Sequence, residues 1–151
     1  MEELAQHPEI DFLMIADRAE AINGKLYVMG GAWDTISVPD LSVPISFSVA
    51  LGINIPWNAT NEPHRLRLLV QDADGGGLAE FEAEFVAGRP PHLALGSLQR
   101  MLFAAGVTVV LPRPGAYAVV AFLNGHEARR TVFQASVENQ PPPWPPVPTQ
   151  D

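Results

Sequence analysis

The sequence predicts an all-β fold: an antiparallel two-sheet β-sandwich, immunoglobulin-like or Greek-key, of about eight strands with a proline-rich C-terminal tail. Three observations predict it. Between Ile45 and Ile55, apolar residues hold every odd position and alternate with Ser46, Ser48, Ala50, Gly52 and Asn54, which is strand period and not helix period. Asn23-Gly24 and Asn124-Gly125 are hairpin signals, because a tight primed turn needs positive φ at both centres and these residues tolerate it best. Short apolar runs bounded by turn residues recur along the chain, and only His92 to Met101 suits a helical turn or connection. A closed barrel is the alternative architecture. No segment repeats at a fixed spacing, which disfavours propellers and solenoids.

In chain order, residues 1–8 form an N-terminal arm, residues 9–138 the sandwich and residues 139–151 the tail. Strands are expected near residues 9–18, 25–38, 45–55, 64–71, 78–86, 106–111, 116–123 and 128–137. Gly30-Gly31 falls inside the second of these and reads as a bulge or bend. Pro39, Pro44, Pro56 and Pro63 fall between strands, where a missing amide donor does not interrupt a ladder. In the tail, Pro141 to Pro148 holds six of the fifteen prolines in eight residues, so it belongs to no sheet.

The length of 151 residues fits one domain, and 47% hydrophobic with 17% charged residues is a globular composition. A net charge of -8 has the wrong sign for nucleic acid or an anionic membrane surface, so neither is an expected partner. The absence of cysteine excludes disulfides, thiolate metal sites and cysteine nucleophiles. The acidic start, Met1-Glu2-Glu3, is unlike a secretory signal, and no apolar run approaches the roughly 20 residues of a membrane span. The expected compartment is the cytoplasm.

Chemistry is hard to find in the residues. Asp72-Ala73-Asp74-Gly75-Gly76-Gly77 opens like a calcium loop, but Gly76 and Ala83 stand where oxygen ligands belong, so a polar hairpin loop is expected. Glu80, Glu82 and Glu84 alternate with Phe81, Ala83 and Phe85 as the wet face of a half-buried strand. Folding the hairpin about residues 72–77 sets Arg67 opposite Glu82 and Arg65 opposite Glu84, with Leu66, Leu68 and Val70 on the inner face. His7, His64, His92 and His126 occur singly, without metal-ligand spacing, and are expected at the surface. Ser97 lacks a nucleophile elbow, and no acid and base pair stands out. No catalytic residue, cofactor or metal ligand is expected.

The stretch Ile15-Ala16-Asp17-Arg18-Ala19-Glu20-Ala21-Ile22-Asn23-Gly24-Lys25-Leu26-Tyr27-Val28-Met29-Gly30-Gly31 resembles the "AD-AE--NGKL-I-GG" start of a widespread uncharacterised family of small bacterial and phage-associated proteins. Pro114-Gly115-Ala116-Tyr117 followed by Leu123-Asn124-Gly125 resembles that family's closing strand and final hairpin. The resemblance covers roughly residues 9 to 137 and implies a small sandwich, with no activity or catalytic residue to carry over. Tyr117, just before a strand, either returns its hydroxyl to the nearby backbone as a tyrosine corner or packs at the sandwich edge.

Two features point to protein binding. The first strand is apolar on both faces, Phe12 and Met14 against Leu13 and Ile15, and so is the strand after Tyr117, with Val120 and Phe122 on its second face. A two-layer sandwich needs one greasy face per strand, so the other meets a loop of the same chain, the tail or another chain. The tail carries P-x-x-P spacing around Trp144, which suits extended recognition or docking. The interaction candidates are therefore Leu13, Ile15, Val120, Phe122, Pro143, Trp144 and Pro145. The expected function is a non-catalytic module that binds a protein partner or itself, as an adaptor or a component of a bacterial or phage-like assembly. The alternative is an enzyme or a small-ligand or metal-binding protein with a loop-built site, for example from His64, His92 and His126.

Overall fold

Both expected hairpins form in the computed structural model, which describes residues 7–138. Asn23 (φ 50°) and Gly24 (φ 74°), and likewise Asn124 (φ 51°) and Gly125 (φ 85°), take the left-handed conformations that a primed turn requires. Nine strands result: β1 (Glu9–Ile22), β2 (Lys25–Gly31), β3 (Thr35–Val38), β4 (Ile45–Pro56), β5 (Pro63–Asp72), β6 (Gly77–Val86), β7 (Leu98–Val109), β8 (Gly115–Leu123) and β9 (His126–Val137). One 3-10 turn, Trp57–Ala59, links β4 to β5.

The strands make two sheets, ordered β2-β1-β4-β7 and β3-β9-β8-β5-β6, and the second curls into a half-barrel. The fold is therefore all-β and two-sheeted as expected, but three expectations need correction. Nine strands form among the described residues, because residues 25–38 are not one strand. The chain leaves the first sheet at Gly31, where Ala32 (φ 63°) donates its amide to Ile15 O at 2.7 Å, and resumes as β3 in the other sheet. There β3 pairs with β9 in parallel, Thr35 opposite Gln134 through Val38 opposite Val137, so the sheets are not wholly antiparallel. Of the two readings of His92 to Met101, a helical turn or a connection, the connection holds as far as Ser97, but β7 begins already at Leu98, pairing with β4 from Leu98 opposite Pro56 to Val109 opposite Ile45.

The alternation in β4 sets the core. Phe47, Val49, Leu51, Ile53 and Ile55 are all buried and meet Leu66, Leu68 and Val70 of β5 and Val119, Ala121 and Leu123 of β8. Phe133 is fully buried between edge-on Trp33 and Phe47, with ring centroids 5.9 Å and 5.8 Å away. The Trp33 indole N–H is buried without a hydrogen-bond partner among the described residues, a cost of about 1–3 kcal/mol. The apolar contact of the aromatic cluster offsets it.

The β5–β6 hairpin has the expected register, with Arg65 opposite Glu84, Arg67 opposite Glu82, and Phe81 and Ala83 facing Leu68 and Leu66. The shorter ion pair runs diagonally, from Arg67 Nε to Glu80 Oε1 at 2.8 Å, while Arg65 and Glu84 stand 4.0 Å apart. The bond to Glu80 raises the Arg67 pKa above its ordinary value. Tyr117 makes a tyrosine corner: its buried hydroxyl donates to Arg113 O and accepts the Arg113 amide.

Candidate functional site

The structure shows how each interaction candidate read from the sequence is packed. On β1, Leu13 and Ile15 face the core, Ile15 being 1% exposed, so they are packing residues. The outward residues are Phe12 and Met14. Phe12 lies over Gly52, at whose Cβ position any larger residue would strike its ring, and the small Ala50 and Ala16 beside it are fully buried. On β8, Val120 faces away from the core yet is fully buried, and the half-buried Phe122 lies under the Arg67 guanidinium, 5.0 Å from the ring centroid. The second apolar faces are thus largely covered from within the chain, by small neighbours and an arginine stem. Pro143, Trp144 and Pro145 lie outside the described residues.

The least covered apolar surface lies elsewhere. β1 pairs with β4 only from Glu9 to Ala16, opposite Asn54 to Ser48, whereas Arg18 to Ile22 pair with β2 alone. The result is a two-stranded ribbon that turns at Asn23-Gly24. Its strand period follows the sequence pattern, yet Tyr27 is 54% and Met29 68% exposed, and Ile22 and Val28 are exposed as well. Gly30, at its base, needs positive φ (59°), and a side chain there would strike the Asp17 carboxylate. The sequence does not mark this exposure, because the same residues, as a strand inside a sandwich, would be half-buried.

Histidine chemistry is mostly committed to structure. His64 was expected at the surface but is buried; its Nε2 donates to Ala59 O at 2.7 Å and its Nδ1 accepts from Asn124 Nδ2 at 3.0 Å. Asn124 Oδ1 in turn accepts the Arg65 amide at 2.8 Å, so the network ties the β8–β9 turn to β5. His7, His126, Glu9 and Glu127 line an open cleft of about 710 Å³ at this end of the sandwich. Among the described residues no three histidine, aspartate or glutamate side chains converge as a metal site. In the β5–β6 loop, Asp72 Oδ1 accepts the amides of Asp74 and Gly76 at 2.9 and 2.8 Å, and Arg113 pairs with Asp74 at 3.0 Å. Those carboxylates therefore organise a turn.

No helix among the described residues is long and apolar enough to cross a membrane. No curated protein matches the chain. Residues 11–136, which include the ribbon, both sheets and the tyrosine corner, match the DUF6941 family model, and the chain belongs to this family of unknown function.

Proposed function

We propose that the chain is a non-catalytic β-sandwich module of Greek-key type that binds protein through its β1–β2 ribbon, acting as an adaptor or a component of a larger bacterial or phage-like assembly in the cytoplasm. One observation carries the reading: the ribbon holds Ile22, Tyr27, Val28 and Met29 exposed on a two-stranded element at the edge of the first sheet. Clustered apolar side chains on a projecting element mark interaction surfaces more often than isolated ones do. Its outer edge, β2, also offers unpaired backbone groups, so a partner strand can add to it by main-chain hydrogen bonds.

A photo-cross-linking amino acid placed at Tyr27, and as a control at exposed Gln134 on the other sheet, tests the reading in extract of the native host. The expected result is a covalent protein adduct from position 27 and none from position 134. Equal labelling at both positions, or none at either, rejects the ribbon as the binding element.

A further inference from the structure

The sequence contains two Asn-Gly dipeptides, Asn23-Gly24 and Asn124-Gly125, and both form tight hairpin turns with positive φ at each residue. Asn-Gly is also the dipeptide most open to attack on its own asparagine amide, because glycine has no side chain to hinder the approach of its backbone nitrogen. The glycines do not distinguish the two turns: a Cβ at either would meet nothing within 4 Å. The asparagine side chains do.

Asn124 is held at three atoms. Its Oδ1 accepts the Arg65 amide at 2.8 Å, its Nδ2 donates to His64 Nδ1 at 3.0 Å, and its backbone amide donates to Arg65 O at 2.9 Å. Because β5 pairs with β8 as far as Leu66 opposite Leu123, this turn cannot open without leaving a third strand. Asn23 has no counterpart to these bonds among the described residues. It is exposed, the last ladder pair before it is Ile22 opposite Lys25, and from Arg18 to Ile22 the ribbon consists of β1 and β2 alone. An end of this kind frays at little cost, which frees the side chain to turn onto the backbone.

We propose that Asn23 is a site of spontaneous deamidation in the folded protein, and that the fold shields Asn124 from the same reaction. Base takes the proton from the Gly24 amide, and the nitrogen bonds to the side-chain carbonyl carbon of Asn23. The bond from that carbon to the side-chain nitrogen breaks, and the nitrogen leaves with a proton as ammonia. Water then opens the cyclic imide. Opening at the former side-chain carbon gives an ordinary aspartyl linkage at position 23, and opening at the backbone carbon gives an isoaspartyl one. Water is the only co-reactant, and nothing is oxidised or reduced.

The reaction does not depend on the ribbon being a binding element, but it alters that element. Either linkage adds a negative charge beside Lys25. The isoaspartyl form also lengthens the backbone by one atom within a turn that depends on φ values of 50° and 74°, so the register of Ile22 opposite Lys25 is lost as the protein ages.

The test incubates the full chain in mildly alkaline buffer, with and without denaturing urea, and follows both positions over time by peptide mapping with mass spectrometry. A purified isoaspartyl methyltransferase marks the isoaspartyl product. In urea both positions are expected to convert at comparable rates, since each asparagine follows an aliphatic residue, Ile22 or Leu123. In the folded chain position 23 converts, while position 124 lags by about tenfold or more, the factor imposed by two ordinary hydrogen bonds that must break first. A folded chain in which both positions convert alike, in which position 124 leads, or in which position 23 stays intact overturns the proposal.

Discussion

The Tyr117 hydroxyl and the Arg113 backbone satisfy each other twice: the hydroxyl donates to the Arg113 carbonyl and accepts from its amide at 3.2 Å. The pair fixes the path by which the chain enters β8, and the Tyr117 ring stacks on Phe133 with centroids 5.6 Å apart.

Tyr117→Phe keeps the ring and removes only the hydroxyl, leaving the amide and carbonyl of Arg113 without their partner. A loss of about 1–3 kcal/mol in unfolding free energy is expected from urea titration. Tyr117→Ala should cost more, since the stacking on Phe133 goes as well. Equal stability of the phenylalanine variant and the unaltered protein would show that the corner adds nothing.

Phe47 and its neighbour Ser48 are both buried, but only Phe47 belongs to the core. Phe47→Ala is expected to cost about 3–5 kcal/mol, because Trp33 and Phe133 lose the ring they pack against edge-on. Ser48→Ala, on the opposite face beside Ala16 and Gly106, should move the melting temperature little. Matching melting temperatures for the two variants would refute the facing of β4.

Removing the His64 imidazole strands Ala59 O and the Asn124 amide in a buried place. His64→Ala should lower stability by about 1–3 kcal/mol or more, and hydrogen exchange should show the greatest loss of protection at the β8–β9 turn and the start of β5. Uniform loss of protection across both sheets would mean that the network is not a local tie.

The diagonal pair Arg67–Glu80 is closer than Arg65–Glu84, yet both are partly exposed. A double-mutant cycle on Arg67 and Glu80 is expected to give a coupling below about 1 kcal/mol that weakens with salt, and the Arg65–Glu84 cycle less. Arg67→Ala should also uncover Phe122, detectable as added binding of a hydrophobic dye.

What was legible in the sequence was whatever depends on near neighbours. The β4 alternation, the two Asn-Gly turns and the β5–β6 register are set by side-chain period and turn chemistry within a few residues, and each has the form the residues suggest. The split of residues 25–38 was not legible, because Gly30-Gly31 permits a bulge as readily as a departure from the sheet, and only the distant β9 decides. His64 reads as a turn neighbour of Pro63 until Asn124, far along the chain, closes over it. That β1 and β8 are apolar on both faces is plain from the residues themselves. Which face points inward, and the small residues or arginine that cover the other, depend on partners across the sheet. The exposure of the ribbon is not legible for the same reason: it follows from where β1 parts from β4, after Ala16 opposite Ser48.

The parallel pairing of β3 with β9 bears on the order of folding. Each Asn-Gly hairpin can close as soon as its own residues are available, on the microsecond scale of local strand pairing. β3 has no such option, since Thr35 to Val38 must wait for Gln134 to Val137 and so for almost the whole length of the domain. Contacts of that sequence separation are reached late and slowly. The four residues of β3 are therefore a seam that cannot close during synthesis until β9 is available, and a chain arrested before β9 emerges would present β8 as an unguarded edge.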